Sequence, residues 1–193
     1  IASGKTTILK FIKNLNIPTH DSDQVVKNLY NNAPNNFIKF LSSIGLKKTI
    51  KKNKINKNMV REKVLKNKNL LKKLEKFIHL KVKSSRNKFI DKNKILKKKL
   101  VVIDIPLLFE NNLQKNFDYI ILAHSEKKIR VNRALKRKKM TKKNLLKIIK
   151  LQIPDKDKIK KSSFVINTSK TKKETSEQIL FVLKNIKLAN KQK

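Results

Sequence analysis

The sequence predicts an α/β domain in which a parallel β-sheet is flanked by helices. Short apolar runs at Leu100–Asp104, Tyr119–Leu122 and Phe164–Asn167 alternate with longer stretches of helical period. Gly4-Lys5-Thr6 stands directly before the first helical stretch, where a phosphate-binding loop belongs. The run at 100–104 also ends in a carboxylate, and so does the segment Ile17–Asp21. Open α/β sheets bind their ligands at the carboxyl ends of the strands.

Ile1-Ala2-Ser3-Gly4-Lys5-Thr6-Thr7 matches the back end of G-x-x-x-x-G-K-[ST]. The opening glycine of that pattern would fall two residues before Ile1. The motif therefore predicts that the first strand is missing from this sequence and that the start, which is not a methionine, is truncated. The chemistry of the loop explains its residues. Ala2, Ser3, Gly4, Thr6 and Thr7 offer backbone N–H groups at a helix N-terminus, a natural anion site. Gly4 allows close approach to a phosphate, Lys5 adds a charge that follows the β- and γ-phosphates, and the Thr6 hydroxyl suits Mg²⁺. Ile8, Leu9, Phe11, Ile12 and Leu15 then recur at helical spacing.

The next elements follow in order. Ile17–His20 predicts a short strand with Asp21 at its tip, and Asp21 or Ser22 caps a helix through Val25, Val26 and Leu29. Pro34 opens a helix with Phe37, Ile38, Phe40, Leu41 and Ile44, closed by Gly45. Residues 47–58 are polar and predict an irregular connection. Residues 59–90 predict one helix or two, with His79 as a structural rather than a catalytic residue. Asp104, at the tip of the clearest strand, occupies the place of an acidic residue that helps hold Mg²⁺. After the strand at 119–122, Glu126–Lys138 predicts a basic helix carrying Arg130, Arg133 and Arg137. Thr141 caps another helix, Pro154 interrupts, and a helix from about Thr171 follows the strand at 164–167.

Composition narrows the partners. There are no cysteines, so disulfides and thiolate metal sites are excluded. No apolar run reaches the length of a membrane span, and the start lacks a signal peptide's apolar region. These features predict a cytoplasmic protein with no membrane partner. The formal charge of +38 comes from 51 Lys and Arg against 13 Asp and Glu. The lysines are spread over the whole chain among many Asn and Ile, residues that share A/T-rich codons. That spread predicts solvated faces rather than a dedicated nucleic-acid surface, with attraction of anionic small molecules as a side effect.

Taken together, the motifs resemble the dephospho-coenzyme A kinase family over nearly the whole chain. Residues 1–7 resemble its phosphate loop, and His20-Asp21-Ser22-Asp23 its Asp-Ala-Asp segment. Asp104-Ile105-Pro106-Leu107-Leu108-Phe109-Glu110 matches its Asp-Ile-Pro-Leu-Leu-Phe-Glu block, the most specific of these signals. Arg133–Arg137 resembles the paired arginines of its lid, Gln152-Ile153-Pro154 its Gln-x-Pro, and Val165-Ile166-Asn167 the strand ending near the adenine. The chain departs from the family at Leu80 after His79, at Lys138 after Arg137, at Lys170 after Ser169, and in 54–57, which lacks the family's glycine and arginine.

The resemblance implies a single P-loop kinase domain over 1–193, with a helical substrate-binding insertion at 57–95 and a lid region at 130–155. It implies transfer of the γ-phosphoryl of ATP to the ribose 3′-hydroxyl of dephospho-coenzyme A, with Mg²⁺, by a monomer. It gives Asp21, Lys5 and Arg137 catalytic roles. Nucleotide binding falls to residues 2–7 (Ala2, Ser3, Gly4, Lys5, Thr6, Thr7) with Arg133, Arg137 and Asn167, and the metal to Thr6 and Asp104. Two rival readings stand beside it. One is another small-molecule kinase of the same fold; the other is a basic, non-catalytic nucleic-acid binder on a decayed kinase scaffold.

Overall fold

A computed structural model describes residues 1–137 and 140–189, so Lys138 lies outside the described residues. The chain order is α1 (Lys5–Asn14), β1 (Thr19–Asp21), α2 (Ser22–Asn32), α3 (Asn35–Ser43), β2 (Ile50–Lys51), β3 (Lys54–Ile55), α4 (Lys57–Lys66) and α5 (Lys68–Ile95). Then come β4 (Val102–Asp104), β5 (Ile121–His124), α6 (Lys127–Leu135), α7 (Lys142–Lys150), α8 (Asp155–Lys160), β6 (Phe164–Asn167) and α9 (Lys172–Ala189). The elements fall into two compact units, one of Ile1–Ile17 with Leu107–Lys193, the other of Pro18–Pro106.

Each unit contains one parallel strand pair. In Pro18–Pro106, β1 pairs with β4 in the register Thr19↔Val102, His20↔Ile103, Asp21↔Asp104. In the other unit, β5 pairs with β6 from Ile121↔Phe164 to His124↔Asn167. All four strands expected from the sequence are therefore present and parallel, as two pairs. The α/β class with parallel strands flanked by helices holds.

The core of the unit 18–106 is helical. Leu29, Phe37, Leu41, Leu46, Val60, Val64 and Leu74 form a buried cluster. Phe77 stacks on Phe37 and on Phe40, with centroids 5.5 and 4.1 Å apart, while Tyr30 meets Phe37 edge-on. Gly45, at φ 83°, sits just beyond the end of α3. Its amide donates to Ser42 O, and the Leu46 amide reaches back to Leu41 O, closing the last helical turn as the sequence predicts. In the second unit α1 packs on α9, and α9 on β6. Ile8, Ile12, Ile166, Ile179, Val182, Leu183 and Ile186 are buried there.

Two local expectations change, and one that was open is decided. The connection at 47–58 contains a 3₁₀ turn and the antiparallel hairpin β2–β3. Its turn residues Lys52 and Asn53 both have positive φ (47° and 57°), the conformation of a tight hairpin turn. The strand expected at 119–122 is displaced to 121–124, because Ile120 is held earlier: its amide donates to Ser163 Oγ and its carbonyl accepts the Phe164 amide. The helical stretch at 59–90, expected as one helix or two, is two: it divides at Asn67, which ends α4 and caps α5 through its bond from the Leu70 amide.

Candidate functional site

The phosphate-loop residues open α1. Gly4 is its N-cap at φ 81°, and its carbonyl accepts the amides of Thr7 and Ile8 at 2.9 and 3.2 Å. Ala2 also has positive φ, 55°. Thr6 and Thr7 are exposed, whereas Ala2, Ser3, Gly4 and Lys5 are half-buried. Among the described residues no side chain caps the first turn of α1. The helix N-terminus thus keeps the dipole character that suits an anion.

Thr168, a residue the sequence does not single out, braces this loop. Its hydroxyl donates to Ser3 O at 2.9 Å, and a Cβ placed on Gly4 would lie 2.7 Å from that same oxygen. Glycine at position 4 is therefore required by the backbone angle and by clearance from Thr168. Thr168 follows β6 directly, and its amide bonds to His124 O at the end of β5. Arg133, on α6, donates to the Thr168 carbonyl at 2.7 Å and to its hydroxyl at 3.2 Å. Arg133 is thus engaged with the strand end that supports the loop.

Asn167 ends β6. The Gln178 amide group bonds both its N–H and its C=O, at 2.8 and 3.1 Å, and the Asn167 side chain accepts the Ser169 amide. Arg137 lies just beyond α6 and is exposed. Two motifs that the sequence keeps apart meet in this unit. Glu110 accepts the Ile153 amide at 3.2 Å and pairs with Lys158 at 2.7 Å. The last residue of the Asp-to-Glu block therefore fixes the Gln-Ile-Pro segment. Burial pushes the Glu110 carboxyl up, but the Lys158 hydrogen bond and charge, with the Ile153 amide, outweigh it and hold it below the ordinary value. Arg130 forms a two-pronged ion pair with Asp155.

In the unit 18–106, Asp21 and Asp104 are register partners at the carboxyl ends of adjacent parallel strands. Neighbouring strands lie about 4.8 Å apart, so both carboxylates leave from one strand edge. Asp21 Oδ1 accepts the Gln24 amide at 2.9 Å and caps α2, and Asp104 is buried. His20 is also buried: its Nε2 lies 3.1 Å from Ser85 Oγ and its ring packs against Phe89. Burial, with Arg86 nearby, holds His20 below the ordinary histidine range, and Asp21 opposes this only in part. His79 is exposed on α5.

Among the described residues no cluster of three or more His, Cys, Asp or Glu could cage a metal ion. Mg²⁺ does not need such a cage. It is held by one or two protein oxygens plus substrate phosphates and water, and the Thr6 hydroxyl and the Asp104 carboxylate are donors of that kind. No helix among the described residues is long and apolar enough to cross a membrane.

A family model described as dephospho-CoA kinase matches residues 1–174. The dephospho-CoA kinase of Bartonella henselae is 34% identical over 96% of this chain and 94% of its own length. That of Fusobacterium nucleatum is 31% identical over 88% of this chain and 86% of its own. Among solved structures, a dephospho-CoA kinase from Campylobacter jejuni superposes with a TM-score of 0.70 at 27% identity, covering 98% of this chain and 94% of that one. TT1252 from Thermus thermophilus shares the fold, with a TM-score of 0.77 at 23% identity.

Proposed function

The chain belongs to the dephospho-CoA kinase family, and from that premise we propose how its residues move the γ-phosphoryl of ATP to the ribose 3′-hydroxyl of dephospho-CoA. The observation that supports the assignment of roles most is the register of Asp21 with Asp104 at two strand tips. It supplies two carboxylates with separable tasks on one edge. Asp21 faces the acceptor: it orients the hydroxyl and takes its proton late, because a sugar hydroxyl is far too weak an acid to be ionised beforehand. Asp104 and Thr6 are each assigned an oxygen that would serve Mg²⁺, which when bound would neutralise charge on the nucleotide phosphates.

Phosphoryl transfer has a loose transition state, so catalysis consists mainly of positioning and charge neutralisation. Lys5 and the amides of Ala2 to Thr7 take the phosphates. Thr168 keeps that loop in shape, and Arg133 acts through its grip on Thr168. Asn167 lies on the adenine side. Arg137, exposed beyond α6, closes on the phosphates as part of a lid over 130–155 and excludes water, which competes as acceptor. The segment 57–95 grips the coenzyme part of the acceptor. In this proposal 1–193 is one P-loop kinase domain, acting as a cytoplasmic monomer with no specific nucleic-acid partner.

The test is an acceptor panel with ATP and Mg²⁺: dephospho-CoA, adenosine, nucleoside monophosphates and shikimate-type alcohols. Formation of coenzyme A with a kcat/KM at least tenfold above every other acceptor is expected. Faster turnover of another acceptor would reassign the substrate.

A further inference from the structure

We propose that Arg86, together with Ser22 and the His20 ring, forms an anion-binding subsite for the diphosphate of the acceptor, at the carboxyl end of β1. The proposal rests on dephospho-CoA being that acceptor.

Arg86 lies within α5 and is only 8% exposed; among the described residues no hydrogen bond or ion pair holds its guanidinium, whose nitrogens keep a little contact with solvent. A guanidinium carries five donors in a planar fork and cannot discharge by losing a proton. Burying one without an anion is costly, so buried arginines are ordinarily paired. Its surroundings repeat the pattern. Ser22 Oγ and His20 Nδ1 are buried without a partner among the described residues. Both are more than nine-tenths buried, at 6% exposure each. The neighbours of Arg86 on α5 fix its place: Ser85 bonds His20, and Phe89 packs at a tilt against the same ring.

Alternation along β1 sends His20 and Asp21 to opposite sides of the strand. A hydroxyl on Asp21 and an anion at Arg86 would then flank a single strand tip. Dephospho-CoA suits that arrangement because its diphosphate hangs from the same ribose that carries the 3′-hydroxyl. Arg86 offers a two-pronged contact to phosphate oxygens, and the Ser22 hydroxyl a further donor. Burial, with Arg86 beside it, favours the neutral His20 ring, and its unpartnered Nδ1 would face the anion as an N–H donor.

The experiment compares wild type, Arg86→Met and Arg86→Lys in the full chain. Three quantities are read: KM for dephospho-CoA, the inhibition constant of adenosine as a competitor lacking the diphosphate, and melting temperature without ligand. Arg86→Met should raise KM for dephospho-CoA by about 10- to 100-fold and leave adenosine inhibition within about twofold. Its unliganded melting temperature should stay the same or rise, because an unpaired buried charge is removed. Arg86→Lys keeps the charge and loses the fork, and should give an intermediate KM. Equal effects on dephospho-CoA and adenosine, or a lowered melting temperature with unchanged KM, would overturn the subsite. If Arg86→Met does not fold, an Arg86→Lys enzyme with wild-type KM does the same. A wild-type chain that forms no coenzyme A refutes the proposed acceptor instead, and the subsite with it.

Discussion

At Asp21 one carboxylate oxygen already has a task, since Oδ1 accepts the Gln24 amide and starts α2. The proposed role in transfer asks for the charge as well. Asn keeps the acceptor oxygen and removes the charge, so Asp21→Asn separates the two. Turnover should fall by about 10²–10⁴-fold, the usual weight of a general base. ATP affinity and melting temperature should hold, since Lys5 and the loop amides are untouched. Asp21→Ala should lose turnover and, in addition, about 1 kcal/mol of stability with the cap. Near wild-type kcat in the Asn variant would leave Asp21 a cap alone. The sequence exposes such residues when their partners are local. Asp21, Gly45 and Thr141 are readable because each acts within a few positions of itself. Thr168 is not, because its partner Ser3 lies at the far end of the chain. Arg86 is hidden for another reason: among so many cations, one that is buried looks like the rest.

At the scale of elements, Glu110 shows how two motifs become one piece of structure. The depressed carboxyl stabilises the fold above the ordinary glutamate range, and that contribution is lost as the pH falls through its folded value. Glu110→Gln keeps an acceptor for Ile153 but strands Lys158. It should cost about 1 kcal/mol at pH 7, and the gap to wild type should close on acidification. Thermal melts of both proteins from pH 7 to pH 3 measure this; a constant gap would show that charge is not the cause. Strand and helix order is legible from the alternation of apolar runs with helical periods. The hairpin β2–β3 is not, because its turn is Lys52-Asn53 rather than a glycine-bearing pair, and strands of two residues are too short to carry a periodic signal. That the long helical stretch could be two helices is legible, but the place of the division is not, since Asn67 is an effective cap in a chain where asparagine is everywhere.

For the molecule as a whole, the charge of +38 sets the response to salt. Screening over about 10 Å at 0.1 M ionic strength relieves self-repulsion, so melting temperature should rise between 20 and 300 mM NaCl. If the lysines are solvated faces, binding to duplex DNA should be sequence-blind and lost over the same range. Nanomolar, sequence-selective binding at physiological salt would favour the nucleic-acid reading instead. The pair between Arg130 and Asp155 has a consequence of a different kind. It makes the stretch from 130 to 155 a ring, covalent along one arc and ionic at the join. Severing the covalent arc need not separate the pieces. After a cut at Leu151, which is 81% exposed, one fragment would carry α1, β5 and Arg130, and the other β6, α9 and Asp155. The ladder between β5 and β6 and the packing of α1 on α9 would still join them. A chain split there should run as one particle in native size-exclusion chromatography and as two in denaturant, so position 151 offers a place to open the polypeptide without dismantling the protein.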